Sequence, residues 1–386
     1  MKKILSFAGS YIRRTDYMLW LPCFLLSALG VVLLIGILDT GFAAHYLRIS
    51  GRNIFVQAFS IFLGICGAIV LSLFDYKDLA RLWKVYAPLA YGLLLLTFFI
   101  GVGAPGRPDA RRWLVFSIAD TSVSVQPAEL LRVAFILMFA YHIYKVADKL
   151  NHPLYMAGLL IHMAVPVALV QVQGDSGSAL IFTVMAVCML FGAGLSWKYI
   201  AGAVVGAGIS LPIIWNFVLT PFQQQRITEV FYAAERDVEG FFFQQHRAIT
   251  AFAVGGSGGS GLFAEQHIYV PEMHNDFILS FLGESFGFVG VTLTLAVMLL
   301  LWFKVLRCAS HANDMLGYTI CMGVFAMFAF QSITNIGMNI GELPVIGNTL
   351  PFVSYGGSSV LTSFLCIGIV LSVSMHSTKT MFGGPA

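Results

Sequence analysis

Three groups of ionisable side chains in this sequence sit where apolar chain surrounds them. The first is Pro271-Glu272-Met273-His274-Asn275-Asp276-Phe277, at the mouth of a long apolar run. The second is Glu284, eight residues past Asp276, inside Gly283-Glu284-Ser285-Phe286-Gly287-Phe288-Val289-Gly290. Eight residues is about two helical turns, so the two carboxylates can face one side. The third is Glu129 and Arg132 in Gln126-Pro127-Ala128-Glu129-Leu130-Leu131-Arg132, spaced to pair on one helix face. Charges at membrane depth are costly and point into a bundle or a polar cavity. Asp276 suits a general base or an anion-stabilising group. An aspartate titrates near ~4 when unperturbed, and a helix N-terminus lowers that further. Asp276 is therefore expected to stay ionised. The bland alternative is that it only caps its own helix. For Glu284 and for the Glu129–Arg132 pair the alternative is structural hydrogen bonding between helices.

The elements that must hold these groups are membrane spans. Of 386 residues, 58% are apolar and 11% charged, where a soluble protein carries roughly a quarter charged residues. Ten apolar runs reach the ~20 residues that a span needs: 17–38, 54–74, 84–103, 125–146, 154–172, 177–195, 197–217, 277–304, 315–340 and 350–374. The reading is an all-α polytopic membrane protein, one integral membrane domain of ten transmembrane helices. With the N-terminus inside, every lysine falls on the inner side, from Lys2 to Lys379. Arg48, Arg52, Arg107, Arg111, Arg112, Arg226, Arg236 and Arg247 fall outside. That split supports an even span number with both termini cytoplasmic. Outer arginines can hold an anionic ligand bidentately. The run after Lys2 and Lys3 is too long for a signal-peptide core, and residues 1–14 are expected to form an interfacial amphipathic helix.

A large extracytoplasmic loop, 218–276, joins the seventh and eighth spans. Phe222, Ile227, Val230, Phe231 and Ala234 recur in it at near-helical spacing, predicting an amphipathic helix over the outer mouth. Its glycine cluster, 255–261, lacks the Lys-Ser/Thr of a phosphate loop and reads as a flexible or re-entrant element. Gly356-Gly357 should interrupt the last span. Opposite, Gln331, Asn335, Asn339 and Glu342 line one helix face and are expected to hydrogen-bond between helices. The six cysteines read as small core residues and the nine histidines lack zinc spacing. Scattered basic residues exclude a nucleic-acid binder.

The order of these blocks is specific. Arg112-Trp113, Gln126-Pro127-Ala128-Glu129, Gly174-Asp175-Ser176-Gly177-Ser178-Ala179, Gln225-Arg226-Ile227, the glycine cluster, the Glu272–Phe277 block, Gly283–Gly290, and finally Leu350-Pro351-Phe352-Val353-Ser354-Tyr355-Gly356-Gly357-Ser358-Ser359 follow in turn. This resembles the SEDS family, the shape, elongation, division and sporulation proteins of bacteria, nearest its elongation branch. The resemblance implies a peptidoglycan glycosyltransferase of the bacterial cytoplasmic membrane. It would polymerise lipid II with undecaprenyl-linked glycan at the outer face, inverting, beside a class B penicillin-binding protein. It places the essential carboxylate on Asp276. Glu272, His274, Glu129, Arg132, Arg112, Trp113, Arg247, Glu284 and Ser354 form the candidate substrate-binding set. A divalent cation, Mg or Mn, between carboxylates and phosphates is the one cofactor considered. The sequence departs from the family's pattern at Arg132, where Lys is usual, at Ser285, where a second Glu is usual, and at 174–178. The alternatives are a transporter that flips lipid II and a scaffold that only holds a transpeptidase.

Overall fold

The computed structural model describes residues 11, 14–42, 46–47, 49–103, 110–118, 121–217, 219, 221–231, 240 and 242–377. In chain order the helices are α1 (Tyr17–Asp39), α2 (Gly51–Leu73), the short α3 (Tyr76–Arg81) and α4 (Trp83–Ile100). Two strands follow, β1 (Leu114–Ile118) and β2 (Thr121–Val125). Then come α5 (Pro127–Lys145), α6 (Pro153–Val172), α7 (Ser176–Gly192) and α8 (Trp197–Phe217). The chain ends with α9 (Pro221–Phe231), α10 (Phe243–Gly255), α11 (Ile278–Ser310), α12 (Met315–Asn339) and α13 (Gly357–His376). Among the described residues, nine helices are long and apolar enough to cross a membrane, and α7 is a shorter apolar one. Each lies close to an expected span. The exception in register is the last, which begins at Gly357 rather than 350.

The core helices are α5, α12 and α13, which are largely buried, while α2, α4 and α6 show apolar residues to the outside. Apolar exposure is what lipid-facing helices require, since lipid tails are no less apolar than leucine. Close packing rests on small residues. A Cβ at Gly30 would meet the Val353 carbonyl, and one at Gly368 would meet the Ala68 backbone. At the end where α1 starts and α11 finishes, ion pairs join Lys304 to Asp16 at 3.7 Å and Lys77 to Asp314 at 2.9 Å. Lys77 and Lys304 are residues assigned to the inner side. The candidate chemistry gathers at the opposite end.

The long segments differ from expectation in two ways. Residues 114–125 form an antiparallel hairpin in an otherwise helical chain, with Leu114 opposite Val125. Val115, Phe116, Ile118, Thr121, Val123 and Val125, β-branched or aromatic, carry that signal. Helix α9 covers Phe222 to Phe231 of the amphipathic helix predicted in the large loop. A second helix, α10, was not foreseen. The expected N-terminal amphipathic helix over 1–14 lies almost wholly outside the described residues, as do Arg48, Arg107, Ala234 and Arg236.

The glycine cluster is a packed element, not a flexible one. At Gly287 the φ of 62° and ψ of −164° break α11. The cluster docks into that break and satisfies it. Ser260 N–H donates to the Glu284 carbonyl at 2.9 Å and Gly261 N–H to the Ser285 carbonyl at 3.0 Å. Phe288 N–H and Val289 N–H donate back to Gly256 and Ser257 carbonyls at 2.9 and 3.2 Å. Irregular backbone at this depth persists only when protein satisfies it. No side chain fits between: a Cβ on Gly255 would meet the Gly283 carbonyl, and one on Gly259 the Ser285 carbonyl.

Candidate active site

Asp276 ends a tight turn, residues 271–277, whose backbone is clamped one carbonyl after another. The His274 carbonyl accepts Tyr355 N–H at 2.9 Å. The Asn275 carbonyl accepts the Ser354 hydroxyl at 2.7 Å. The Asp276 carbonyl accepts two amides, Asn335 Nδ2 at 2.8 Å and Asn339 Nδ2 at 3.0 Å. Ser354 is itself fixed, receiving Leu350 N–H at 2.8 Å. Gln57 on α2 holds the far side of that loop, bonding the Ser354 carbonyl and Gly356 N–H at 3.2 Å each. The turn is also strained: Glu272 sits at φ 58° and Phe352 across from it at φ 66°. Non-glycine residues hold such angles only where the surroundings over-determine them, commonly at functional sites.

The Asp276 side chain is left out of this clamping. Among the described residues no group hydrogen-bonds its carboxylate. It does not cap α11 either: the cap residue is Phe277, without a side-chain cap bond. The helix-cap alternative is thus overturned, and so is the expectation of a lowered pKa. Removal from water, then the nearby charges of Glu272 and Asp175, push Asp276 up to about 7, against the opposing pull of Arg112. A half-buried carboxylate beside two others resists becoming a third anion. Burial also lowers the neighbouring His274, whose ring is tilted against that of Tyr355 at 5.8 Å and lies 3.9 Å from Glu272. His274 is thus neutral near pH 7. Glu272 is exposed and accepts Asn275 Nδ2 at 3.0 Å.

A buried polar chain runs inward from Asp175, which begins α7. Asp175 accepts Gln126 Nε2 and the Ser178 hydroxyl, both at 2.9 Å, and lies 3.6 Å from Arg112. Arg112 also donates to the Gly174 carbonyl. Ser178 Oγ accepts Arg132 at 2.7 Å, and Arg132 donates to Glu129 at 2.7 Å. Arg132 is 2% exposed and Glu129 6%. Two terminal nitrogens of Arg132 are thus engaged within the protein, while the Nε atoms of Arg132 and Arg112 are buried without partners.

Around Asp276, then, the structure gathers Glu272, His274, Ser354 and Arg112, and it links Glu129 and Arg132 to them through Ser178 and Asp175. Three candidates stand elsewhere. Glu284 is fully buried and accepts Ile268 N–H at 2.7 Å, with His267 at 3.5 Å, so it anchors the loop at the α11 break. Arg247 donates to the Tyr269 carbonyl at 2.8 Å. Trp113 bridges to Val102 at the base of the hairpin. The residues that sequence reasoning left out of the site are Asp175, Ser178, Gln126, Asn335, Asn339 and Gln57. Asp175 had a signal, because it opens an apolar helix within a glycine-rich block. Gln57 had none.

The family model described as "Cell cycle protein", for FtsW, RodA and SpoVE, matches residues 16–379. The chain is 34% identical over 331 residues to the probable peptidoglycan glycosyltransferase FtsW of Geobacter metallireducens, across 84% of this chain and 85% of that one. It is 33% identical over 302 residues to the peptidoglycan glycosyltransferase MrdB of Escherichia coli, across 77% and 80%. Its fold matches a chain of a solved peptidoglycan synthase complex, which coordinates polymerization and crosslinking, with a TM-score of 0.77 at 25% identity over 94% and 98% of the two chains. The rod shape determining protein RodA of Thermus thermophilus shares the fold, with a TM-score of 0.67 at 23% identity over 95% and 98%.

Proposed function

The chain belongs to the SEDS family, that of FtsW and RodA, and from that premise we propose that Asp276 is the base of its reaction. It is a peptidoglycan glycosyltransferase, a multi-pass membrane enzyme of cell-wall synthesis. Its substrates are lipid II and an undecaprenyl-linked glycan, presented at the outer face, with both termini cytoplasmic. Its partner is a class B penicillin-binding protein. The observation that carries the assignment is Asp276 itself: a backbone clamped at three successive carbonyls and a carboxylate poised at about 7. A base works best with a pKa near the working pH, because it is then both deprotonated and proton-hungry.

In the transfer, the acceptor hydroxyl of lipid II attacks the anomeric carbon of the glycan donor. The bond from that carbon to the pyrophosphate oxygen breaks as the new glycosidic bond forms. In-line attack inverts the α-linked donor to a β-linked product. The hydroxyl proton passes to Asp276, and the electron pair leaves with the polyprenyl pyrophosphate. Arg112 is the best-placed cation for that growing charge, being half-buried and within reach of Asp276 electrostatically. Arg132 acts through Ser178 and Asp175, as its fork is already engaged.

A divalent cation fits only in a limited form. Among the described residues no three candidate ligands stand together. Magnesium is commonly held by one or two carboxylates plus substrate phosphates, and the exposed Glu272 could supply that share, leaving Asp276 to take the proton. Such an ion would neutralise leaving-group charge. The transporter alternative is not favoured, since the similar curated proteins are named as glycosyltransferases.

Purified protein, alone and with its transpeptidase partner, should convert lipid II into glycan strands visible on a denaturing gel. Lipid II translocation across vesicles without polymer would overturn the enzyme reading.

A further inference from the structure

We propose that Asn339 is an external cap for α11, and that together with Asn335 it keeps Asp276 free for chemistry. The proposal rests on the reading of Asp276 as the base.

The reasoning begins with a helix start that lacks its own cap. Helix α11 has unsatisfied first-turn amides, and an aspartate directly precedes its cap residue. Aspartate is a favoured partner for such amides. An aspartate so engaged is tied down, and the helix dipole stabilises it as an anion. Both effects make a poorer base. Here the first turn receives its side-chain acceptor from another helix. Asn339 Oδ1 accepts Ser280 N–H at 3.2 Å, a donor shared with the Phe277 carbonyl at 3.1 Å. The same side chain turns its Nδ2 to the Asp276 carbonyl at 3.0 Å. One amide thus grips the chain on both sides of Phe277.

Asn339 is aimed by a further bond from Nδ2 to the Asn335 carbonyl at 2.9 Å. Asn335 adds its own amide to the Asp276 carbonyl and bridges on to the Asn348 carbonyl at 2.7 Å. That bridge ties the Asp276 turn to the loop before α13. There, a Cβ built on Gly347 would lie 3.6 Å from Asp276 Oδ2. Both asparagines have no solvent exposure, so water cannot replace these bonds cheaply. The charged and titratable groups facing Asp276 are Glu272 and His274 in its own turn, Asp175 at the start of α7, and Arg112 in the outer segment. None of them is altered by the variants below.

The test uses purified protein with its transpeptidase, lipid II as substrate, and rates measured across pH. In Asn339→Ala the Asp276 carboxylate is expected to fall back onto the first-turn amides. Turnover should drop about 10- to 100-fold with KM nearly unchanged, as displacement by about an ångström does. The acid limb of the pH profile should move to lower pH, because a capped carboxylate is a stabilised anion. Asn339→Asp keeps an oxygen for Ser280 N–H and adds a negative charge, so its acid limb should move to higher pH. A merely structural role predicts no limb movement in either variant. Wild-type turnover and an unmoved limb in Asn339→Ala would overturn the proposal. So would limbs moving down in both variants. Where Asn339→Ala fails to fold, a raised limb in Asn339→Asp supports the proposal, and a held or downward limb overturns it. Asp276→Asn, run in parallel, separates the two readings. An active Asp276→Asn removes the base itself, whereas an inactive one beside a wild-type-like Asn339→Ala removes only the external cap.

Discussion

Asp276→Asn is expected to lower lipid II polymerisation by about 10²- to 10⁴-fold, the range that a positioned general base contributes. The substitution is nearly isosteric and leaves the backbone clamp intact, because Asn335 and Asn339 bond the carbonyl of residue 276 and not its side chain. It also removes one of three mutually repelling carboxylates, with Glu272 and Asp175. The variant should therefore be no less stable than wild type, and it should still bind its transpeptidase. Loss of activity with an unchanged or raised unfolding temperature is the expected pair of results. Loss of both together would mean that Asp276 holds the fold.

The second large effect lies in the inner polar chain. Arg132→Met leaves Glu129 and Ser178 buried without their partner, and removing one member of a buried pair costs about 3–5 kcal/mol. The unfolding temperature in detergent should fall steeply. The double variant Glu129→Gln with Arg132→Met should recover much of that, since no lone charge remains. Arg132→Lys should fall between. A lysine keeps the charge, but it lacks the fork that reaches both Glu129 and Ser178 in this structure. Because Ser178 also bonds Asp175, these variants should reduce activity beyond their loss of folded protein. Equal stability of the single and double variants would show that Glu129 is not left uncompensated.

The spans were legible because about 20 consecutive apolar residues, in a chain this poor in charge, match the thickness of a lipid core. The carboxylates were legible for the same reason, since a Glu or an Asp in such surroundings stands out. The environment of Asp276 was not legible. Local reasoning sees an acidic residue before a helix and expects a cap with a lowered pKa. The outcome is the reverse, because the groups that decide it lie far along the chain. Asp175 is a hundred residues earlier, and Asn339 more than sixty later. Glu284 shows the same limit. Helical spacing places it on the face of Asp276, yet the loop after the glycine cluster folds back beside the break at Gly287, and Ile268 N–H takes its carboxylate. Spacing along one helix cannot foresee a loop that docks against it. The β1–β2 hairpin was legible in principle, as β-branched and aromatic residues were present, but its two short runs are overshadowed by the apolar spans on either side.

The claim at the centre of this account is that Asp276 is a base held near neutrality. The pH dependence of kcat/KM for lipid II polymerisation tests it most directly, since that profile reports the ionisations of the free enzyme. The expected profile has an acid limb that is half-maximal near pH 7 and falls about tenfold per pH unit below it. Asp175→Asn should move that limb to lower pH, because one of the charges opposing ionisation is gone. A profile that stays flat from pH 7 down to the ordinary aspartate range, near ~4, would contradict the account.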